Sequence, residues 1–338
     1  MAFEVQGSSA GWLPADVQAT FCATLIDQWL LLGLRHAVVC PGSRSTPLAV
    51  QLAARVEVDL HIVHDERSAA FVALGIGLAT GTPAVALCTS GTAATHFHAA
   101  VVEADLSNVA VIVITADRPP ELHGVGAPQT IDQTRLFGIA PRWFHDPGVA
   151  AAEAKSSWRS VATSAWRAAT GAACAPGPVH LNLPFREPLL GVVGELPAAG
   201  VDAGLDAAGD AGGERRASIT GIAWPTRPTA VAITDLAMQS SGRRGLLIVG
   251  RGVDDPAAVH LLARALGWPI VADPRSGCRS LSMAIAAFDS LVRDARFAAD
   301  HVPELVIRLG EPPASKVLAQ WLVATAAVQV QVEATAVT

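Results

Sequence analysis

Short apolar runs alternate with longer segments of helical periodicity along most of this chain. The first helical segment carries an apolar stripe that predicts a helix from about Pro14, ending at a glycine cap, Gly33. The stripe consists of Val17, Phe21, Leu25, Trp29 and Leu32. Regular alternation of this kind predicts strands joined by crossover helices, and therefore an α/β fold.

The alternation continues to about residue 190. Strands are predicted at 36–40, 60–63, 84–88, 109–115, around Trp143 and at 178–183. Helices are predicted near Leu48, after Glu66, from Thr92 to about Asp105, near 131–137 and over roughly 150–174. The strands are apolar on both faces, which is typical of a mainly parallel sheet covered by helices.

A glycine- and alanine-rich stretch separates this unit from a second one. We predict a flexible arm at 1–13, a first domain at 14–190, a linker at 191–229 and a second domain at 230–338. The second domain has helices at 230–240, after Asp255 and from Ser315, with strands at 245–249, 269–271 and 305–309. A final edge strand follows Thr325. Both domains are expected to be doubly wound, mainly parallel sheets.

Composition narrows the functional classes. A chain of 338 residues is long enough to form two hydrophobic cores. Its composition, with 51% hydrophobic and 16% charged residues, is typical of a globular protein. A net charge of -6 argues against a nucleic-acid partner. We see no membrane span and no secretory signal, and we expect a cytoplasmic protein. The five cysteines form no Cys-x-x-Cys pair, and His96 and His98 point to different sides of a predicted helix, so we assign no metal ligands.

The most informative junction lies between the predicted strand at 60–63 and the helix that follows it. It delivers a carboxylate, Glu66, to the edge where doubly wound sheets bind ligands. Apolar neighbours such as Ile62 and Phe71 would desolvate that carboxylate. The alternative is that Asp65 caps the helix and Glu66 merely occupies its first turn.

Three further strand ends carry polar residues to the same predicted edge. They are Ser43-Arg44, the turn at 89–92 (Thr-Ser-Gly-Thr) and Asp117-Arg118. Glycine beside a hydroxyl residue at a helix start attracts anions, and arginine binds carboxylate or phosphate in a bidentate manner. Each turn alone fits ordinary helix capping, whereas the convergence of four indicates a binding site.

Five motifs resemble one enzyme family. They are Pro-Gly-Ser-Arg-Ser (41–45), Asp-Glu-Arg-Ser-Ala (65–69), Thr-Ser-Gly-Thr-Ala (89–93), Ala-Asp-Arg-Pro-Pro-Glu-Leu (116–122) and Gly-Pro-Val-His-Leu-Asn-Leu-Pro-Phe-Arg-Glu-Pro-Leu (177–189). In this order the set resembles the 2-succinyl-5-enolpyruvyl-6-hydroxy-3-cyclohexene-1-carboxylate synthases, thiamine-diphosphate transferases of menaquinone biosynthesis. The resemblance covers most of residues 14–190 and weakens, without a break, through the second domain.

The resemblance implies a pyrimidine-binding first domain and a Rossmann-like central domain. It also implies decarboxylation of 2-oxoglutarate and addition of the product to isochorismate, with thiamine diphosphate and Mg²⁺ or Mn²⁺ as cofactors, in a homodimer or homotetramer. Glu66 matches the catalytic glutamate that shares a proton with the aminopyrimidine. The cofactor-binding positions are Pro41, Gly42, Glu66, Thr89, Ser90 and Gly91. The substrate-binding positions are Ser43, Arg44, Arg118 and Gln129.

The chain departs from the family pattern in two respects. Pro128 stands where the family usually has asparagine before Gln129, which removes an amide side chain and a backbone N–H. The Gly-Asp-Gly run that binds the diphosphate and metal in the family's C-terminal domain is missing from this sequence. We therefore expect the 338-residue chain to be inactive by itself, as part of a longer enzyme.

The second domain contains a Gly-x-Gly turn at Gly250 and Gly252. Asp255 stands where a dinucleotide-binding turn needs its third glycine, so we do not predict a nucleotide site. Arg308 and Lys316 are weaker substrate-contact candidates that fit solvated positions better.

Two other functions stay open at this point. An acetolactate-synthase-like enzyme of the same superfamily would act on pyruvate alone. A non-catalytic binding or regulatory protein could use arginines of the second domain to hold an anionic effector. Those arginines are Arg243, Arg244, Arg251, Arg275 and Arg279.

Overall fold

A computed structural model describes residues 13–172, 175–199, 214–215, 230–253 and 255–332. The chain divides into two compact units between residues 219 and 220. Apart from Leu13, the predicted arm lies outside the described residues, as do residues 200–213 and 216–229 of the predicted linker.

The first unit is built on a seven-stranded sheet in the order β2-β1-β3-β4-β6-β5-β7. The strands are β1 (His36–Val39), β2 (Asp59–Ile62), β3 (Ala84–Cys88), β4 (Val111–Asp117), β5 (Trp143–His145), β6 (Pro178–Pro184) and β7 (Glu214–Arg215). All neighbours pair in parallel except β7, which runs antiparallel to β5. The central strands β3, β4 and β6 are buried throughout, as expected of a sheet covered on both faces.

Helices cover both faces of this sheet. They are α1 (Pro14–Leu32), α2 (Thr46–Ala53), α3 (Glu66–Thr80), α4 (Thr92–Thr95), α5 (His98–Leu106) and α6 (Trp158–Thr170), with 3₁₀ turns at Pro120–Leu122 and Ala152–Ser157. α1, α2 and α6 share one core, which includes Trp29, and α3 and α5 share the other, which includes Phe97. The predicted glycine cap of α1 is confirmed, because Gly33 has a left-handed φ of 111°.

The second unit has a four-stranded parallel sheet in the order β11-β10-β8-β9. Its strands are β8 (Gly245–Val249), β9 (Ile270–Ala272), β10 (Leu305–Leu309) and β11 (Val328–Val332). Its helices are α7 (Ala230–Ser240), α8 (Pro256–Leu266), α9 (Phe288–Leu291), α10 (Ala295–Asp300) and α11 (Lys316–Ala324), with a 3₁₀ turn at Pro274–Ser276. Apolar side chains pack on both faces of the sheet. The two sheets confirm the predicted α/β class with mainly parallel strands.

Three of the predicted helices are wrong in whole or in part. Residues 131–137 form turns, because Arg135 has a left-handed φ of 50° and the side chain of Gln133 is buried. The long helix predicted at 150–174 is a 3₁₀ turn followed by α6, which ends at Gly171, where φ is 88°. The helix predicted from Thr92 to Asp105 is split into α4 and α5. No helix in the described ranges is both long and apolar enough to cross a membrane.

The start of the predicted linker packs on the first unit. The Val192 N–H donates to Asp16 Oδ1 at 2.7 Å, and the Gly194 N–H donates to Thr20 Oγ1 at 2.9 Å. At Gly191 the chain passes so close to α1 that an added Cβ would lie 2.2 Å from the carbonyl group of Ala15. Only glycine fits there without displacing backbone.

Gly191→Ala is therefore expected to destabilise the protein by about 1–3 kcal/mol, as overpacking of a well-packed contact does. Gly75→Ala is the matched control, because an added Cβ at that position of α3 meets nothing within 4 Å. It should stabilise the protein by up to about 1 kcal/mol through helix propensity. Urea unfolding measures both, and equal effects of the two substitutions would contradict the close contact at Gly191.

Candidate functional site

The candidate site lies where the strand order reverses. β2 and β3 lie on opposite sides of β1, so the loops that follow β1 and β3 diverge and leave a crevice at their carboxyl ends. The two loops begin side by side, since the Cys40 N–H donates to the Leu87 carbonyl at 2.8 Å. An added Cβ on Gly42 would lie 2.4 Å from Cβ of Thr89. A glycine is thus required for the loop after β1 to reach the turn after β3.

Glu66 is the first residue of α3 and its side chain is half-buried at this crevice. Burial, and then the charge of Glu66, raises the pKa of the Cys40 thiol to about 12. Burial, Cys40 and Glu66 together raise the pKa of the Cys88 thiol well above its usual range. The carboxylate therefore lies close to the ends of both β1 and β3.

Asp65 and Glu66 have different environments. Asp65 caps α3, since its Oδ1 accepts the Ser68 N–H at 3.0 Å, and its carboxylate also contacts Arg67 at 2.7 Å. The hydrogen bond from Arg67, followed by that from Ser68, lowers the pKa of Asp65. Glu66 makes no hydrogen bond or ion pair with any residue in the described part of the chain. The capping role thus belongs to Asp65, and the Glu66 carboxylate is left free.

The turn after β3 offers a second group without a partner. Thr89 is 7% exposed, and its Oγ1 is buried with no hydrogen-bond partner among the described residues. Gly91 has a left-handed φ of 81°, and its N–H donates to Gln133 Oε1 at 2.8 Å. Ser90 exchanges two hydrogen bonds with Gln129: its Oγ donates to the Gln129 carbonyl at 3.1 Å, and its own carbonyl accepts from Gln129 Nε2 at 3.0 Å.

The loop that contains Pro128 and Gln129 is exposed, and Gln129 itself has a left-handed φ of 57°. The carbonyl of Pro128 accepts the Thr130 hydroxyl at 3.2 Å. Because Gln129 bonds to Ser90, the structure brings this loop to the turn after β3.

Two arginines, Arg44 and Arg118, lie near each other at this edge of the sheet. Arg44 is 4% exposed; its Nη1 donates to the Phe185 carbonyl at 2.8 Å, and its Nη2 lies 3.2 Å from Glu187 Oε1. Burial, and then the positive charge of Arg118, lowers the pKa of the Arg44 guanidinium. The Nε atoms of Arg44 and Arg118 are both buried without a hydrogen-bond partner among the described residues.

The structure therefore places all ten predicted site residues at one edge of the sheet, nine on its loops and Glu66 at the start of α3. Pro41 and Ser43 are exposed on the loop after β1, next to Gly42 and Arg44. Arg118 follows β4, and Gln129 joins the group through Ser90.

A buried polar network behind this edge was missed by the sequence analysis. At its centre, Asn182 Oδ1 accepts hydrogen bonds from Thr115 Oγ1 at 2.8 Å and from Gln133 Nε2 at 2.9 Å. Asn182 Nδ2 donates to Asp117 Oδ2 and Asp146 Oδ2, both at 2.8 Å. The sequence does contain one indication of this network, since His180 and Asn182 interrupt an otherwise apolar strand.

The network connects the turn after β3 with the loop that carries Arg118. Gln133 reaches the turn after β3 through Gly91, and Asp117 Oδ1 accepts the backbone N–H of Arg118 at 2.7 Å. Burial raises the pKa of the Asp117 carboxyl. Burial of Thr115, Gln133 and Asp117 is tolerated here because each is hydrogen-bonded to Asn182.

His180 is neutral in this network. Thr115 donates its single hydroxyl proton to Asn182, so His180 Nε2, 2.8 Å from Thr115 Oγ1, must carry the hydrogen that Thr115 accepts. Complete burial lowers the pKa of His180 to about 3. Its ring packs edge-on against Phe137 with a centroid distance of 4.6 Å.

The second unit provides weaker candidates for a binding site. An added Cβ at Gly250 would overlap the Glu311 carbonyl, and Asp255 caps α8 by accepting the Ala258 N–H at 3.0 Å, so the Gly-x-Gly turn is a packed connection. Lys316 is exposed and Arg308 is half-buried. Of the arginines, Arg275 pairs with Asp273 at 3.1 Å and Arg244 lies 3.8 Å from Glu304. Within the described ranges, no three His, Cys, Asp or Glu side chains are grouped to hold a metal.

Comparison with known proteins identifies both units. Residues 20–136 match the N-terminal thiamine-pyrophosphate-binding domain of thiamine pyrophosphate enzymes, and residues 222–334 match the middle domain of thiamine pyrophosphate enzymes.

Three similar curated proteins carry the name 2-succinyl-5-enolpyruvyl-6-hydroxy-3-cyclohexene-1-carboxylate synthase. The Thermobifida fusca protein is 42% identical over 300 residues, which are 88% of this chain and 51% of the relative. The Bacillus pumilus protein is 40% identical over 314 residues (91% and 52%), and the Geobacillus kaustophilus protein 42% over 319 residues (91% and 53%). The chain spans about half the length of these relatives.

The neutral state of His180 predicts a specific pH dependence of stability. Its pKa in the folded protein lies below the unfolded value of about 6.5, so its contribution is complete above that pH and decreases as the pH falls toward 3. Between pH 7 and pH 5 the loss should be about 2 kcal/mol. His180→Gln should remove this slope even if it lowers stability overall, whereas His64→Gln, at an exposed position, should keep it. Urea unfolding at both pH values provides the test, and an unchanged slope in His180→Gln would refute the assignment.

Proposed function

The chain belongs to the thiamine-pyrophosphate enzymes, with 2-succinyl-5-enolpyruvyl-6-hydroxy-3-cyclohexene-1-carboxylate synthases as relatives, and we propose that it forms the cofactor-activating part of such a synthase. The proposed reaction is decarboxylation of 2-oxoglutarate and addition of the resulting unit to isochorismate, in menaquinone biosynthesis. The observation that carries the proposal is the free, half-buried Glu66 carboxylate at the topological switch point of the first sheet.

The residues at this edge fit thiamine diphosphate. Thr89 Oγ1 is buried without a partner in the described part of the chain, and Gly42 keeps the neighbouring loop free of a side chain. Pro41, Gly42, Thr89, Ser90 and Gly91 are the proposed contacts to its pyrimidine half. When bound, the cofactor supplies the carbon nucleophile and the electron sink that decarboxylation needs.

Glu66 has the proton-transfer role in this proposal. Its carboxylate would exchange a proton with a ring nitrogen of the aminopyrimidine, and a carboxylate without an ion-pair partner is available for that purpose. Mg²⁺ or Mn²⁺ would accompany the diphosphate, with ligands from outside the described residues.

The substrates proposed here are acidic, and the two arginines suit them. Arg44 and Arg118 each have a buried Nε without a partner among the described residues, so each has hydrogen-bonding capacity left for a carboxylate. Ser43 and Gln129 are the proposed polar contacts beside them. We also place the reaction in the cytoplasm, because the four described cysteines are buried free thiols.

The proposal includes a homo-oligomer, which the surface of α3 supports. One side of this helix packs on the sheet, while the opposite side is also apolar and lies exposed. The exposed residues are Phe71 (46% exposed), Val72 (38%) and Leu78 (49%), with Ile62 (52%) of β2. A helix that is apolar all round is normally covered, and a second copy of the protein is the proposed cover.

Glu66→Gln should abolish turnover while leaving cofactor binding intact, because the amide keeps the shape but cannot exchange the proton. The assay uses residues 1–338 joined to the half of the Thermobifida fusca relative that the match leaves uncovered. We expect carbon dioxide release from 2-oxoglutarate in the presence of isochorismate to fall by about 10²- to 10⁴-fold.

Glu57→Gln, at an exposed position in the same unit, is the matched control and should leave the rate unchanged. Retention of at least a third of the activity by Glu66→Gln would overturn the catalytic assignment. Turnover of pyruvate without isochorismate would instead indicate the acetolactate-synthase-like alternative.

Leu78→Asp should weaken the proposed association, because it places a charge in the exposed face of α3. Leu31→Asp, on α1 and 64% exposed, is the control and should leave the assembly unchanged. Analytical ultracentrifugation of the wild type and both variants measures the mass in solution. If Leu78→Asp sediments as the wild type does, this face is not the interface.

A further inference from the structure

The segment that follows β6 connects both arginine-bearing loops of the candidate site. We call residues 185–188 the β6 strap. Its backbone is fixed at two points: the Phe185 N–H donates to the Asp117 carbonyl at 3.1 Å, and the Arg186 N–H donates to Gln18 Oε1 at 2.6 Å. The strap is therefore a rigid part of the site.

The strap provides Arg44 with two oxygen partners of different character. The Phe185 carbonyl is buried and belongs to the fixed backbone. The Glu187 carboxylate, 3.2 Å from Arg44 Nη2, has a side chain that is 67% exposed. Glu187 makes no other hydrogen bond or ion pair with the described residues. A long, exposed side chain with one partner can leave that partner at little energetic expense.

The charges around Arg44 make the identity of its anion important. Arg118 is close enough to disfavour the charged form of Arg44, whereas Glu187 and Asp117 favour it. Asp117 does not serve as an exchangeable partner of Arg44, because its two carboxylate oxygens accept hydrogen bonds from the Arg118 N–H and from Asn182 Nδ2. Glu187 is thus the displaceable anion at Arg44.

The neighbouring acidic residue shows the contrast. Glu121 binds Arg186 of the strap with both carboxylate oxygens, at 2.5 and 2.8 Å, and the hydrogen bond from Arg186 lowers the pKa of Glu121 to about 2. That pair joins the strap to the loop after Arg118 without touching Arg44. Glu121 thus links the loop after Arg118 to the strap. Glu187, in contrast, contacts the side of Arg44 to which a substrate carboxylate would bind.

We propose that Glu187 is an internal competitor for the substrate carboxylate at Arg44, and that it sets the affinity of the site for dicarboxylates. In the free protein Glu187 neutralises Arg44, while the Phe185 carbonyl holds the guanidinium in place. A dicarboxylate substrate takes over this contact and Glu187 turns to solvent. This inference rests on the proposed function, because it assumes that Arg44 binds a substrate carboxylate.

The rival role for Glu187 makes the opposite prediction. If the glutamate positions Arg44 for substrate, removing its charge would weaken binding. If the glutamate competes with substrate, removing its charge strengthens binding. The sign of the change therefore separates a competitor from a positioning residue.

The experiment is calorimetric titration of the 338-residue protein with 2-oxoglutarate at low ionic strength. Glu187→Gln should bind about threefold to fivefold more tightly than the wild type, which is the range expected for an exposed ion pair. The gain should shrink at high salt, since screening weakens exposed charge pairs most. Glu121→Gln and Glu153→Gln carry the same change in net charge but leave Arg44 untouched, and neither should tighten binding.

Arg44→Met distinguishes the inference from the function on which it rests. If Arg44→Met abolishes binding and Glu187→Gln binds as the wild type or more weakly, the competitor role is wrong and the substrate site stands. If Arg44→Met binds 2-oxoglutarate like the wild type, or if neither the wild type nor Glu187→Gln binds it, the substrate assignment of Arg44 fails and the inference falls with it. Circular dichroism of each variant confirms that it is folded.

Discussion

The close approach of Gly42 to Thr89 is the contact on which the candidate site depends. It exists because β1 lies between β2 and β3, so that the loops after β1 and β3 leave the sheet in different directions and meet at their starts. A side chain at residue 42 would separate the two loops and open the crevice. The same contact directs Arg44 toward β6 and places the turn after β3 within reach of Gln133. Backbone packing therefore comes first, and the polar chemistry is arranged around it.

Charge at this edge is kept in balance by two different means. Behind the edge, Asp117 is buried and held by hydrogen bonds from the network centred on Asn182, so its position is set by neutral polar partners. At the edge, Arg44 is buried but its counter-ion is exposed, so its position and its neutralisation are separable. A buried charge pair is costly to break, whereas a half-exposed one can exchange its anion. The site thus combines a buried carboxylate held in a fixed position, Asp117, with an exposed counter-ion of Arg44 that a ligand can replace.

The sequence was most informative where tertiary contacts agree with local pattern. β3, β8 and β10 have the predicted bounds because their apolar runs are short, buried on both faces and flanked by turn residues. The prediction failed at 131–137, where a short helix was expected but the backbone forms turns and Gln133 bonds to Gly91 and Asn182. Gln133 and Asn182 are 49 residues apart, and no local rule could join them. The strand-end residues were predictable because a parallel sheet brings every carboxyl end to one edge; the network behind them was not, because it depends on which side chains meet across that edge.

Helix α3 links the candidate chemistry to the proposed assembly. Its first residue is Glu66, and its exposed apolar face begins one turn later at Phe71. A carboxylate that exchanges protons with a cofactor works best where water is excluded, yet Glu66 is half-buried in a single copy. A partner that covers the exposed face of α3 would also cover the crevice next to its N-terminus, so the same apolar surface that favours association would complete the desolvation of Glu66. In the proposed assembly the exposed residues of α3 would serve the reaction as well as the association, which would account for a helix on the outside of this unit that is apolar on both sides.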